Sequence, residues 1–194
     1  MSFNSGLHPC IFFDRDGIVN ESPGAGYVER VEDFNILPEF IESLRLVSRR
    51  GYKAIIVTNQ RCISSGIISE ETLEAIHDHL RAELAEKGLS LDGIYHCPHS
   101  GDHPDRKPAP GMLLRAAREH HLDLKSSWMI GDSVRDVEAG KAAGCKTILI
   151  KAGEKSEYAD HQLASMRELP RFLKENLCLK PATAAHRARA ATRG

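Results

Sequence analysis

Short apolar runs alternate with amphipathic stretches along most of the chain. The predicted strands cover residues 10–13, 52–57, 91–97, 128–130 and 146–150. The predicted helices, in which apolar residues recur at helical spacing, cover residues 39–50, 69–88, 111–121 and 134–143. Strands that alternate with helices are typical of a parallel sheet, and apolar runs without alternation indicate strands buried on both faces. The pattern therefore predicts an α/β fold with helices on both faces of a parallel sheet.

The last part of the chain shows two different patterns. Residues 157–179 carry apolar side chains at spacings that predict one closing helix. Residues 181–194 are rich in Ala and Arg and have no apolar stripe, which predicts disorder. We therefore expect one domain over residues 1–180, followed by a disordered segment over residues 181–194.

Polar side chains follow directly after separate predicted strands. They are Asp14, Asp16, Thr58, Asn59 and Asp132. Because parallel strands end at one edge of a sheet, these groups could line one pocket. Asp14 and Asp16, two positions apart, would place two negative charges at one strand tip, and Mg²⁺ prefers such carboxylate ligands. The same alternation should direct Arg15 away from both. The alternative is a polar turn after a core strand, since Asp and Gly are common turn residues.

Composition and charge narrow the function classes. The chain has 194 residues, of which 41% are hydrophobic, which suits a single domain with a real core. A net charge of −1 gives no general attraction to nucleic acid or to a membrane surface. The five cysteines are scattered and odd in number, so we expect reduced thiols and no disulfide framework. With neither a secretory signal nor a long apolar run, we expect a cytoplasmic monomer that binds neither nucleic acid nor membrane.

Four motifs resemble, in the same order, those of the haloacid dehalogenase (HAD) superfamily of aspartate-nucleophile phosphatases. They are Asp-Arg-Asp-Gly at residues 14–17, Thr-Asn at residues 58–59, Lys107 before Pro108, and Gly-Asp-Ser-Val-Arg-Asp at residues 131–136. The resemblance implies a Rossmann-like, three-layer α/β/α sandwich around a parallel sheet. Members with large caps insert them after the first motif or between the second and third. Neither interval here has room for a folded domain, so we expect a capless or minimally capped fold.

The resemblance also implies a role for each motif residue. Asp14 would be the nucleophile that forms an aspartyl-phosphate, and Asp16 would be the general acid and base. Thr58 and Lys107 would complete the catalytic set, with Lys107 supplying positive charge. Mg²⁺ would be held by the carboxylates of Asp14 and Asp132 and by the backbone carbonyl of Asp16.

Asp136 follows Asp132 by four residues, which is about one helical turn. Two interpretations stay open. Asp136 could act on the water shell of the metal or on Lys107, or it could be a solvated acid on an exposed helix face.

Further matches resemble one subgroup, the D,D-heptose 1,7-bisphosphate phosphatases and their relatives, the histidinol-phosphate phosphatases. They include Gly-Tyr-Val at residues 26–28 and Arg-Lys-Pro-x-Pro-Gly-Met at residues 106–112. By this resemblance, the residues that bind the phosphate and the rest of the substrate would be Asn59, Arg61, Arg106 and Tyr27. Two positions depart from the subgroup: Ser65 stands where relatives have Arg, and Ser133 where heptose enzymes often have Lys. Arg61 could replace the missing charge.

Many heptose bisphosphate phosphatases also carry a loop with four Cys and His ligands for structural zinc. Here only Cys97 and His99 match, which is half of a site. His103 could be a third ligand, but the loop over residues 100–105 is short. We therefore expect Mg²⁺ as the cofactor and no zinc.

Two classes of function follow. The favoured class is a Mg²⁺-dependent phosphomonoester hydrolase that acts on a small sugar phosphate such as D-glycero-D-manno-heptose 1,7-bisphosphate. Histidinol phosphate or another small metabolite is the alternative substrate. The competing class is a catalytically silent phosphate-binding module on the same fold, because fold alone does not fix function.

Overall fold

The computed structural model describes residues 6–153 and 156–178. Its six strands form one sheet in which all neighbouring strands are parallel, in the order β3-β2-β1-β4-β5-β6. The strands are β1 (Cys10–Phe13), β2 (Lys53–Asn59), β3 (Gly93–Cys97), β4 (Trp128–Gly131), β5 (Lys146–Ile150) and β6 (His161–Leu163). The predicted parallel α/β architecture is confirmed.

Helices cover both faces of the sheet. They are α1 (Pro38–Arg49), α2 (Glu70–Glu86), α3 (Gly111–Glu119), α4 (Val134–Ala143) and α5 (Leu169–Asn176). Side chains alternate between two cores along the buried strands. Ile11 and Phe13 of β1 pack with α1, α2 and α5, whereas Cys10 and Phe12 pack with α3 and α4. This arrangement is a three-layer α/β/α sandwich.

Local sequence signals account for several helix ends. The hydroxyl of Ser69 caps α2 by accepting a hydrogen bond from the Thr72 backbone N–H at 3.2 Å. A capping box formed by Ser133 and Asp136 begins α4. Gly144, whose φ of +89° is in the left-handed region, ends that helix.

The prediction of a single closing helix over residues 157–179 is wrong. Its first part contains β6, a short edge strand that pairs with β5, and the helix α5 begins only at Leu169. Asp160, just before β6, accepts hydrogen bonds from the Thr147 backbone N–H and hydroxyl. These bonds hold the segment beside β5 in an extended form. The predicted disordered segment, residues 181–194, lies outside the described residues.

No extra domain covers the carboxyl edge of the sheet within residues 6–153 and 156–178. Residues 21–37 contain one 3₁₀ helix, Val31–Asp33, and otherwise form a loop. The chain between β2 and Lys107 supplies α2 and β3 to the main layers. The capless prediction is therefore confirmed for this part of the chain. Among these same residues, no helix is both long enough and apolar enough to cross a bilayer.

The strand order reverses its direction at β1. The chain moves from β1 outward to β2 and β3, then returns to place β4 on the other side of β1. In open parallel sheets, ligands bind beyond the carboxyl ends of the strands at such a switch point. In this fold the switch point lies between Asp14, which follows β1, and Asp132, which follows β4.

Candidate active site

Asp14 and Asp132 lie side by side beyond the ends of β1 and β4. The Asp14 backbone N–H donates to the Ile130 carbonyl at 2.8 Å, which extends the β1–β4 pairing up to the first carboxylate. Gly17 makes room for the second carboxylate. Its φ is +84°, and a Cβ at this position would overlap Oδ2 of Asp132. A side chain at residue 17 would therefore strain the backbone and displace the Asp132 carboxylate.

Lys107 reaches the same place from the loop that precedes α3. Its side chain is 3% exposed, and Nζ donates to Asp14 Oδ1 at 2.7 Å and to the Val57 carbonyl at 2.8 Å. Asn59 fixes the Lys107 backbone, because its amide donates to the Lys107 carbonyl and accepts from the Lys107 N–H. The residue is thus held at both ends, and a surface position for this lysine is excluded.

Asp136 is the third carboxylate of the cluster. Its Oδ1 lies 2.6 Å from Lys107 Nζ, and its Oδ2 accepts hydrogen bonds from the backbone N–H and the hydroxyl of Ser133. The residue is buried, so the interpretation of Asp136 as a solvated helix-face acid is wrong. It joins the first turn of α4 to Lys107.

The carboxylates of Asp14, Asp132 and Asp136 can each place an oxygen within 4.8 Å of the other two. Burial, together with the charge of Asp136, raises the pKa of Asp14 to about 7, although Lys107 opposes the shift. Burial and the charge of Asp136 also raise the pKa of Asp132 to about 6. Both shifts reflect burial first, and then negative charge in excess of the single buried ammonium. A hard divalent cation with oxygen ligands fits this donor set.

Asp16 stands at the edge of the cluster and is held by several donors. Arg15 donates to it through Nε and Nη2 at 3.0–3.1 Å, and the amides of Asn20 and Gln60 donate at 3.0 and 3.1 Å. The expectation that Arg15 points away from the aspartates is wrong for Asp16. The cause is that β1 ends at Phe13, so strand alternation does not extend through residues 14–16.

Two cavities adjoin these residues. The smaller, about 150 Å³, is lined by the predicted residues Asp14, Asp16, Thr58, Asn59, Lys107 and Asp136, together with Ser133 and Arg135. The larger, about 600 Å³, lies against the loop of residues 101–109 and shares Lys107 and Arg135 with the smaller. The sheet therefore brings the predicted catalytic residues together around one small cavity. Thr58, at the end of β2, is buried and accepts a hydrogen bond from the Gln60 amide at 2.8 Å.

Comparison with known proteins agrees with this geometry. A family model described as HAD-hydrolase-like matches residues 105–177. The chain is 37% identical over 184 residues to the D-glycero-beta-D-manno-heptose-1,7-bisphosphate 7-phosphatase of Yersinia pestis, covering 86% of this chain and 95% of that relative. The enzyme of the same name from Escherichia coli K12 is 35% identical over 185 residues, covering 86% and 94%. The chain belongs to the HAD superfamily of phosphatases.

A solved structure also resembles the fold of this HAD phosphatase. The D,D-heptose 1,7-bisphosphate phosphatase of B. bronchiseptica, complexed with magnesium and phosphate, superposes with a TM-score of 0.77 at 30% identity. The match covers 86% of this chain and 98% of that one. The superfamily and the subgroup resemblance indicated by the motifs are thereby confirmed.

The predicted substrate-binding residues are more dispersed than the catalytic ones. Arg61 Nε donates to the Tyr27 hydroxyl at 3.2 Å, which joins the two loops after β1 and β2, but neither residue lines the two cavities. Arg106 lines the larger cavity only, and its guanidinium donates to the His99 carbonyl at 2.9 Å. Asn59 is the one member of this set that lines the smaller cavity.

Sequence reasoning missed Arg135, which lines both cavities. The residue is exposed and lies in the first turn of α4. A cation there is disfavoured by the helix dipole, because the N-terminus of a helix carries partial positive charge. That local conflict in the sequence was the available signal. No ion pair joins Arg135 to a carboxylate among the residues that the structure describes.

The loop after β3 brings His103 close to Cys97 and His99, the two residues that match half of a zinc site. Cys97 Sγ lies 3.9 Å from His103 Nδ1, and the rings of His99 and His103 stack with centroids 4.1 Å apart. His103 Nδ1 is already taken by the backbone N–H of Asp105 at 3.1 Å, and Asp105 pairs with Arg115. Within the described residues, the only group of three potential metal ligands is the carboxylate cluster of Asp14, Asp132 and Asp136.

Proposed function

We propose that this HAD phosphatase hydrolyses a phosphate ester of a small sugar through an aspartyl-phosphate on Asp14. The observation that carries the proposal is the contact of the buried Lys107 ammonium with Asp14 at the rim of a cavity lined by Asp16, Thr58 and Asn59. A carboxylate faces repulsion from a phosphate dianion, so a nucleophile of this kind needs adjacent positive charge. Lys107 provides it.

Asp14 and Asp16 would divide the reaction into two displacements. In the first, an oxygen of Asp14 attacks phosphorus, the bond between phosphorus and the sugar oxygen breaks, and Asp16 gives its proton to the leaving alkoxide. In the second, water attacks the phosphorus of the aspartyl-phosphate and gives its proton to Asp16. Phosphate leaves, and the carboxylate of Asp14 and the acid of Asp16 are restored.

The metal would be held by the carboxylates of Asp14 and Asp132 and by the backbone carbonyl of Asp16. When bound, Mg²⁺ supplies charge that offsets the repulsion between the substrate phosphate and Asp14. Asp136 has its two oxygens engaged by Lys107 and Ser133. We therefore assign it to holding Lys107, which is one of the two functional roles expected from the sequence.

The substrate class follows from the relatives and from the larger cavity. The relatives of known name act on a sugar that carries two phosphates. Lys107 lies where the two cavities meet, and Arg106 and Arg135 line the larger one. We propose that this second cavity takes the rest of the sugar and its second phosphate, as in D-glycero-D-manno-heptose 1,7-bisphosphate. Heptose enzymes often have a Lys where this chain has Ser133, and Arg135 would then supply the positive charge that Ser133 lacks. Asn59 would contact the transferred phosphate, whereas Tyr27 and Arg61, which line neither cavity, would reach only a substrate that extends beyond both.

The test is phosphate release with Mg²⁺ from a panel that contains the heptose bisphosphate, its monophosphates, histidinol phosphate and simple hexose phosphates. The proposal predicts the highest kcat/KM for the bisphosphate. A preference for histidinol phosphate would assign the alternative substrate. No release from any ester, by protein that binds Mg²⁺, would support the silent phosphate-binding module instead.

A further inference from the structure

Arg15 is a completely buried arginine whose guanidinium ends on its neighbour in the sequence. Its side chain is 0% exposed. Nε and Nη2 both donate to Oδ1 of Asp16, and Nη2 also donates to Oδ2, at 3.0–3.1 Å. The planar fork of an arginine fixes the orientation of a carboxylate more strictly than a lysine can. The orientation of Asp16 is therefore set by Arg15.

Two amides complete the set of donors around Asp16. Asn20 donates to Oδ1 at 3.0 Å, and Gln60 donates to Oδ2 at 3.1 Å. The Gln60 amide also donates to the Thr58 hydroxyl at 2.8 Å. The same network therefore ties Asp16 to a second residue of the small cavity. Asp16 itself stays accessible, with 25% of its side chain exposed.

The surroundings of Arg15 do not provide another counter-charge. Among the residues that the structure describes, Asp16 is the one carboxylate that forms an ion pair with Arg15. The guanidinium carbon lies 5.8 Å from the centre of the buried Phe34 ring, and Nη1 has no hydrogen-bond partner within that part of the chain. Burying an unpaired guanidinium costs free energy, so the burial of Arg15 depends on its ion pair with Asp16.

We propose that Arg15, assisted by Asn20, is a positioning residue that holds the Asp16 carboxyl at the mouth of the small cavity. The inference rests on the role of Asp16 as general acid in the proposed function. Arg15 does not reach the cavity, so it acts through Asp16 and not on the substrate. The competing view is that Arg15 only stabilises the turn of residues 15–20, where its own carbonyl accepts hydrogen bonds from Val19 and Asn20.

Leaving-group dependence separates these two views. An alkyl phosphate, such as a hexose 6-phosphate, expels a strongly basic alkoxide and needs the proton of a well-placed acid. An aryl phosphate, such as 4-nitrophenyl phosphate, expels a weakly basic phenolate and needs that proton far less. A misplaced Asp16 should therefore impair the first ester selectively. The comparison uses kcat/KM, which does not include hydrolysis of the aspartyl-phosphate once that intermediate forms irreversibly.

The experiment compares Arg15→Lys and Asn20→Ala with the native protein and with Asp16→Asn. Arg15→Lys keeps the charge but loses the fork, and Asn20→Ala keeps Arg15 and removes one further donor. We expect Arg15→Lys to lower kcat/KM for the alkyl ester by about 10- to 100-fold and for the aryl ester by less than about threefold. Asn20→Ala should also lower kcat/KM more for the alkyl ester than for the aryl ester, but by a smaller factor. If Arg15→Lys does not fold, the result for Asn20→Ala tests the positioning role.

Arg50→Lys is the matched control. Arg50 also donates through its fork, to the carbonyls of Leu177 and Lys174. It precedes β2, whereas the cavity residues Thr58 and Asn59 lie at the other end of that strand. Its replacement should leave the ratio of the two esters unchanged. Suppose that Asp16→Asn loses activity selectively toward the alkyl ester. If Arg15→Lys and Asn20→Ala then lose activity equally toward both esters, or lose none, the positioning role of Arg15 is wrong and the proposed function still stands. If Asp16→Asn is itself not selective, the proposed role of Asp16 fails first.

Discussion

Lys107 Nζ lies 2.7 Å from Asp14 Oδ1, although 93 residues separate the two along the chain. Asp136 completes the contact from the other side at 2.6 Å. Burial alone would lower the pKa of Lys107, but the charges of Asp136 and Asp14 outweigh it and raise the pKa above its ordinary value. The lysine therefore stays charged, and this charge offsets part of the negative charge of the carboxylates and serves the proposed chemistry.

Replacing Lys107 should damage stability and activity by separable routes. Lys107→Met leaves Asp14 and Asp136 facing each other without a counter-charge, so we expect the free energy of unfolding to fall by about 3–5 kcal/mol. The loss of positive charge beside the phosphate should lower kcat by at least about 100-fold. Urea unfolding and steady-state kinetics measure the two effects.

The double variant Lys107→Met with Asp136→Asn separates these effects. It removes one of the two uncompensated charges, so part of the lost stability should return while the activity stays low. Recovery of activity together with stability would contradict a catalytic role for the ammonium of Lys107.

Mg²⁺ should stabilise the native protein and not the Asp132→Asn variant. A ligand that binds only the folded state raises stability as its concentration exceeds the dissociation constant, by about 2.7 kcal/mol at a hundredfold excess. Thermal unfolding with increasing Mg²⁺ measures the effect without any substrate. Asp78→Asn, which changes an exposed carboxylate on α2, is the control and should keep the full response. A shift that survives in Asp132→Asn would show that Mg²⁺ binds elsewhere.

Arg135 should contribute to binding the second phosphate of a bisphosphate substrate and not to binding the phosphate that is transferred. Arg135 lines both cavities, and Arg135→Gln removes its charge while leaving Asp14 and Lys107 unchanged. We expect KM for a sugar bisphosphate to rise by about tenfold, because one exposed charged contact with the second phosphate is lost. KM for 4-nitrophenyl phosphate, which has no second phosphate, should change by less than about twofold. Kinetics at two salt concentrations provide the check. Equal changes for both esters would place Arg135 at the transferred phosphate instead.

The strand ends were predictable from the sequence because each is marked by a polar residue after an apolar run. Once a parallel sheet is inferred, Asp14, Thr58 and Asp132 must meet at one edge, which the structure bears out. Lys107 is different. Its position depends on a loop that has no periodicity, and only the resemblance to the HAD motifs indicated it.

Other features depended on contacts that no local pattern reveals. The direction of the Arg15 side chain is one of them, because strand alternation does not extend beyond the end of β1 at Phe13. The edge strand β6 has three residues and is held by Asp160 and Thr147, so its pattern is too short to be separated from a helix. Arg135 was missed because its one local signal, a cation in the first turn of a helix, is too weak to indicate a site until the cavities are known.

His77 should make the protein sensitive to acid. Burial, followed by the charge of Arg15, lowers the pKa of His77 to about 3. In an unfolded chain a histidine binds a proton near pH 6.5. Between these values the unfolded state holds a proton that the folded state lacks, so the contribution of His77 to stability is complete above pH 6.5 and is lost as the pH falls.

His77→Phe tests this dependence. Its free energy of unfolding should fall less steeply with acid than that of the native protein, by up to about 1.4 kcal/mol per pH unit between pH 6 and pH 4. Urea unfolding of both proteins at a series of pH values measures the slopes. Parallel slopes would contradict a neutral, buried imidazole at this position.

Trapping the intermediate shows whether Asp14 carries the phosphoryl group. The native protein is mixed with Mg²⁺ and 4-nitrophenyl phosphate, quenched in acid during turnover, and digested for mass spectrometry. We predict a peptide that contains Asp14 and carries one added phosphoryl group on that residue, absent in Asp14→Asn, together with loss of phosphate release by the variant. Release of phosphate by Asp14→Asn at the native rate, or a phosphoryl group on a different residue, would exclude Asp14 as the nucleophile.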